Sequence, residues 1–101
     1  MHNIVNNMSS QVYLNEALGS CIFFLVILAT SDPIMIAVGL LIGIIIASMS
    51  TQAHLNPAVT GMMYMNGKVN ETEAMWYIGA QLLGAFVALQ WYNRTALKAK
   101  K

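Results

Sequence analysis

The chain has 101 residues, 57% of them hydrophobic and 9% charged, with a formal net charge of +1. Charge at about a third of the usual globular share points to a membrane protein; the net charge itself says little about nucleic acid, and no nucleic-acid partner is expected. A single cysteine, Cys21, excludes an internal disulfide and reads as a small buried hydrophobe.

In chain order, residues 12–30 are apolar apart from Asn15, Glu16 and Ser20, a length that suits one helix across a ~30 Å hydrocarbon core. The residues ahead of them carry no Lys or Arg and the run exceeds a typical signal h-region, so it is expected as a retained span. Ser31-Asp32-Pro33 breaks this span, because Pro33 cannot continue a helix and biases Asp32 toward extended geometry. So short a link predicts an antiparallel hairpin into a second span at 34–50. There Gly39, Gly43 and Ala47 recur every fourth residue, a small-residue stripe for close helix packing.

Polar residues then crowd together in Ser48, Ser50, Thr51, Gln52, His54 and Asn56. The apolar run that follows, 57–65, would make a helix of only ~14 Å, about half the hydrocarbon thickness. It can enter a membrane but not cross it, so 51–65 is predicted as a re-entrant loop and half-helix. Asn66-Gly67 gives turn chemistry to a polar connection, and a third span is expected at 74–92. Trp76-Tyr77 and Trp91-Tyr92 bracket it at a separation of ~22 Å, as interfacial aromatic belts do. The expected fold is an all-α membrane protein, one domain over 1–101 with three transmembrane helices plus one re-entrant half-helix. Residues 1–11 and 93–101 are expected as mobile tails.

The chemistry concentrates at Asn56-Pro57-Ala58. Asn is among the best N-caps and Pro at the first helical position loses no needed N–H, so this is a strong helix start. Its expected depth is mid-membrane, where an interrupted backbone is tolerated only if protein buries it or water reaches it. Residues 50–56 are therefore predicted to line an aqueous path, with carbonyls that accept hydrogen bonds and the Asn56 amide that donates one. The half-helix N-terminus adds roughly half a positive charge, which repels cations and suits neutral solutes. Glu16 inside a span is costly and needs partners. His54 is placed to fix the loop by hydrogen bonding, with pH gating as a second reading. No metal-ligand cluster or nucleophile–base set is present, so neither an enzyme nor a cofactor is expected.

His54-Leu55-Asn56-Pro57-Ala58-Val59-Thr60 resembles the first of two signature loops in the aquaporin and glycerol-facilitator family, the major intrinsic proteins. Asn15-Glu16-Ala17-Leu18-Gly19-Ser20 resembles that family's glutamate-bearing first helix, and Gly79-Ala80-Gln81-Leu82-Leu83-Gly84-Ala85 its third helix. The match runs from about Tyr13 to Tyr92 and covers one half of the family fold. In that fold two inverted halves bring their half-helices together near the pore centre, usually within tetramers.

The resemblance implies that the Glu16 carboxylate accepts backbone N–H groups of the loop and that Gln81 serves as scaffold, with direct pore lining as its other reading. It implies pore-lining roles for His54, Leu55, Asn56, Pro57 and Ala58. Counting back without gaps, Ile36 falls near the second-helix constriction, where water-selective members usually carry an aromatic residue. The family's other loop usually carries Arg after its Asn-Pro-Ala, whereas this chain has Val59, and Thr51-Gln52 replaces the usual Ser-Gly.

The resulting expectation is a subunit of a passive channel for water or small neutral solutes such as glycerol, integral to a lipid bilayer. A second half-channel chain would complete its pore, as an antiparallel copy or a separate second-half subunit, with a tetramer-like assembly as a further level. The competing expectation is a non-conducting remnant or a small subunit that packs on a full-length channel. Lys68 lies on one membrane face, and Arg94, Lys98, Lys100 and Lys101 on the other. The positive-inside rule then puts the C-terminus inside, opposite to a family first half.

Overall fold

The computed structural model describes residues 2–95, with side chains from Ser10 onward. The chain forms four helices, α1 (His2–Ala29), α2 (Pro33–Ala47), α3 (Pro57–Met65) and α4 (Glu71–Asn93). No strand occurs among the described residues.

Local chemistry sets most helix boundaries. Residues 2–11 contain no Pro or Gly, and α1 runs through them from His2, so the expected N-terminal tail is instead helical. The break after α1 closes on itself: Asp32 N donates to Thr30 Oγ1 at 3.0 Å, and Asp32 Oδ1 accepts from Ile34 N at 3.0 Å as the N-cap of α2. Pro33 then takes the first helical position, where its missing N–H is harmless.

Helix α2 stops at Ala47, short of the expected Ser50. Ser48 N and Met49 N fold back onto Ile44 O (2.8 Å) and Ile46 O (3.2 Å), and Ser50 Oγ accepts from Asn15 Nδ2 of α1. Helix α4 starts three residues ahead of the expected Ala74 because Asn70 and Glu73 form a capping box. Asn70 Oδ1 accepts from Glu73 N at 2.8 Å, and Glu73 Oε1 from Asn70 N at 2.7 Å. At the other end, Arg94 and Thr95 follow α4, and the remainder of the expected C-terminal tail lies outside the described residues.

Helix α1 is the central element, packed on one side by α2 and on the other by α4, while α3 rests against α4. Small residues set both crossings. A Cβ on Gly43 of α2 would lie 2.6 Å from the Gly19 carbonyl oxygen of α1, and one on Gly84 of α4 would lie 2.7 Å from the Ala17 carbonyl oxygen. A Cβ on Gly39 would lie 2.9 Å from Val26. The buried residues of α2 are Gly39, Gly43 and Ala47, the expected stripe.

The remaining faces carry large apolar side chains in the open, including Ile34, Leu41 and Ile45 on α2 and Trp76, Leu82, Phe86 and Trp91 on α4. An apolar surface on this scale suits lipid or a protein partner, not water. Ser10–Ala29 is long and apolar enough to cross a membrane by length and composition, whereas α2 is apolar but has only 15 residues.

Candidate functional site

The site grows from the start of α3. Asn56 has extended backbone geometry (φ −159°, ψ 127°), its carbonyl accepts Thr60 N at 3.1 Å, and its side-chain Oδ1 accepts Ala58 N at 2.7 Å. The cap thus consumes the acceptor end of the Asn56 amide. Its donor end, Nδ2, has no protein partner among the described residues and sits on an exposed side chain, with Pro57 and Ala58 exposed beside it.

Glu16 holds the strand of chain just before this cap. It lies near the middle of α1 and is 1% exposed, and three donors converge on it. His54 N reaches Oε1 at 3.1 Å, Leu55 N reaches Oε2, and Gln81 Nε2 reaches Oε2 at 2.9 Å. Three donors occupy most of a carboxylate's acceptor sites, and charge-assisted bonds of this kind are about twice as strong as neutral ones. Gln81 lies near the middle of α4, so the start of α3 is tied to the mid-sections of two long helices.

Leu55 is the strained residue of the loop. Its φ of 61° is in the left-handed region, which costs a non-glycine residue about 1–3 kcal/mol. Two contacts hold it there: its N–H bonds Glu16, and its side chain, 1% exposed, packs into the space left by the absent side chain of Gly43. A Cβ at Gly43 would come 3.1 Å from Leu55 Cδ1. Gly43 therefore serves both the crossing of α1 with α2 and the seat of the loop.

His54 is fixed from two directions. Its Nδ1 lies 2.8 Å from Thr60 Oγ1, and its ring stacks on Tyr77 with centroids 3.8 Å apart and planes at 16°. Tyr77 also donates its hydroxyl to the Gln52 carbonyl at 3.0 Å, and Tyr13 of α1 meets the Tyr77 ring edge-on at 5.4 Å. Thr60 is fully buried and receives Gln81 Nε2 at 2.9 Å, which joins Glu16, Gln81, Thr60 and His54 in one chain of contacts.

Among the residues picked out from sequence, the structure thus brings Glu16, Gln81, His54, Leu55, Asn56, Pro57, Ala58 and Gly43 together. The side chains of His54 and Leu55 are both buried in the protein, at 7% and 1% exposure. Ile36 lies apart. It is half-buried in the first turn of α2, ~17 Å along the helix axis from the end that leads into the loop. Thr60, Tyr77, Asn15 and Ser50 were not picked out for the contacts they make. Thr60 left a trace, as the one aliphatic hydroxyl of an apolar short helix, one turn past Asn56. Tyr77 left another, at i−4 from Gln81 and so on the same face of α4. Among the described residues no three His, Cys, Asp or Glu side chains converge as metal ligands would.

The described residues thus form an all-helical apolar unit with a short helix capped by Asn-Pro and anchored to a buried glutamate. The chain belongs to the major intrinsic protein family, whose model matches residues 3–98. It is 37% identical, over an 87-residue alignment, to glycerol uptake facilitator protein-like 6 of Lactiplantibacillus plantarum, covering 75% of this chain and 39% of that protein. It is 40% identical over 52 residues to aquaporin TIP2-2 of Zea mays, covering 52% of this chain and 21% of that protein. The chain therefore spans about two-fifths and one-fifth of these two relatives. No solved structure matches it. Proteins of this family are integral membrane proteins, and so is this chain.

Proposed function

We propose that this chain supplies one half of a passive transmembrane pore for water or small neutral solutes of the glycerol type. In this reading α1, α2 and α4 cross the bilayer, and α3 enters it and stops half-way with Asn56-Pro57-Ala58 at its tip. The observation that carries the proposal is the division of labour in the Asn56 side chain. Its Oδ1 is held by the helix N-terminus, so only the Nδ2 donor is left for a passing solute. Carbonyls of the preceding loop supply acceptors, and the dipole of α3 opposes cations and a continuous proton-carrying water chain.

The uncovered tip of α3 and the exposed apolar faces of α2 and α4 support completion of the pore by a second half-helix from outside residues 1–101. An antiparallel copy or a companion second-half chain would each meet that need, and a tetramer-like assembly would cover the outer faces. The names of the relatives, a glycerol uptake facilitator-like protein and an aquaporin, agree with neutral solutes.

Cysteine accessibility tests the reading. With Cys21 replaced by Ser, Ala58→Cys expressed in cells should react with a membrane-impermeant, water-soluble thiol reagent and be protected by excess glycerol. Reaction only with a lipid-soluble maleimide would place the tip against lipid and overturn the pore assignment.

A further inference from the structure

The side chain of Thr60 is 0% exposed and has two partners, Gln81 Nε2 at 2.9 Å and His54 Nδ1 at 2.8 Å. The direction of each bond follows from the hydrogens available. Gln81 Nε2 also faces the Glu16 carboxylate at 2.9 Å. Turning the amide around would set Oε1 against a carboxylate oxygen, two acceptors with no hydrogen between them. Nε2 therefore gives one hydrogen to Glu16 and the other to Thr60, and Oε1 is left buried without a partner, as found.

Thr60 Oγ1 is thus an acceptor toward Gln81 with one hydrogen of its own to place. Among the described residues its remaining partner is His54 Nδ1. Were Nδ1 protonated, two donors would converge on the hydroxyl oxygen and its own hydrogen would have no acceptor in a site closed to water. Buried polar groups are rarely left so. A bare Nδ1 satisfies both the hydroxyl and Nδ1 itself: the hydroxyl donates to it, the imidazole is neutral, and the ring hydrogen sits on Nε2.

We propose that Thr60 is a positioning residue that locks His54 in the Nε2–H tautomer. The lock makes Nε2, the ring nitrogen not bonded to Thr60, a fixed donor two residues before Asn56, so a solute that reached the ring would meet an N–H and no free imidazole lone pair. A ring in this state has no free site to take a proton from water, and it does not relay protons toward Glu16. The other groups that face His54 keep this polarity. Glu16 of α1 is engaged by backbone N–H groups and Gln81, Tyr77 of α4 covers the ring face while its hydroxyl is committed to Gln52, and Tyr13 of α1 lies behind Tyr77. The role toward a solute rests on the pore reading above, whereas the tautomer does not.

The test is nitrogen NMR on the full chain with 15N-labelled histidine, reconstituted in lipid. His2→Gln leaves His54 as the one imidazole of a chain that has two histidines. The expected spectrum at neutral pH has Nδ1 at the shift of an unprotonated nitrogen and Nε2 at that of a protonated one. Thr60→Val should collapse that separation toward an averaged tautomer mixture, and Thr60→Ser, which keeps the hydroxyl, should restore it. A wild-type spectrum with the hydrogen on Nδ1, or one unchanged by Thr60→Val, overturns the proposal, and the wild-type result decides even if the valine variant fails to fold. An Nε2–H tautomer in a chain that never supports solute flux upholds the tautomer assignment and overturns the pore reading instead.

Discussion

The two sides of α1 hold the loop ahead of α3 by different physics. On the α2 side the contact is one of shape: Gly19, Gly39, Gly43 and Ala47 bring backbones together and leave a slot for Leu55. On the α4 side it is one of satisfied polar groups, with Glu16, Gln81, Thr60, His54 and Tyr77 passing hydrogen bonds from mid-helix to the loop. Shape alone fixes how near the loop comes. Hydrogen bonds fix which way its amides and carbonyls point, and the proposed path for neutral solutes would depend on the second property. Only the polar side should therefore control permeation beyond its effect on stability.

The comparison is tested most severely at Glu16. Glu16→Ala orphans two buried backbone amides and the Gln81 amide, and a loss of about 3 kcal/mol in unfolding free energy is expected in lipid or detergent. Glu16→Gln keeps part of the acceptor capacity and should lose less. Next comes the glycine side. Gly43→Val meets the Gly19 backbone oxygen, which cannot swing away, and an overpacking loss of about 2 kcal/mol is expected from the same unfolding measurement. If Gly43→Val destabilised more than Glu16→Ala, the loop would be held chiefly by shape.

Tyr77→Phe is a finer cut, because it keeps the ring stacked on His54 and removes only the bond to the Gln52 carbonyl. About 1 kcal/mol is expected, with solute permeability reduced by more than Gly43→Ala-type packing changes of equal stability cost. Gly79→Ala should do least. A Cβ there meets nothing within 4 Å, so the gain in helix propensity, up to ~1 kcal/mol, should leave the chain as stable or more so. A loss at Gly79 would show that the glycines of this chain cannot be sorted by their contacts.

Sequence exposed the parts of this arrangement whose cause is local. Asn56-Pro57 reads as a helix start from its own two residues, and the Gly39-Gly43-Ala47 stripe is visible from spacing alone. The Asn70 and Glu73 capping box was equally local, but it lay in a segment read as a polar connection. The partners of the stripe were not legible, because nothing in α2 says that Gly43 faces both Gly19 and Leu55. Thr60, Tyr77 and the Asn15 to Ser50 contact were hidden for the same reason. Each is an ordinary residue until the topology sets α1, α3 and α4 around one loop. Ile36 was placed near the second-helix constriction by a count of residues alone, and the rise of α2 sets it at the end of that helix away from the loop.

The central claim is that residues 1–101 furnish half of a pore with its working tip at Asn56. Osmotic shrinkage of lipid vesicles tests it directly, with this chain reconstituted alone and together with the C-terminal repeat of a full-length family member. The account predicts shrinkage in glycerol or sucrose gradients faster than with that repeat alone once two half-helices are present, and loss of the increment with Asn56→Leu. Rates no faster than the repeat alone in every combination, or an increment indifferent to Asn56→Leu, would contradict it.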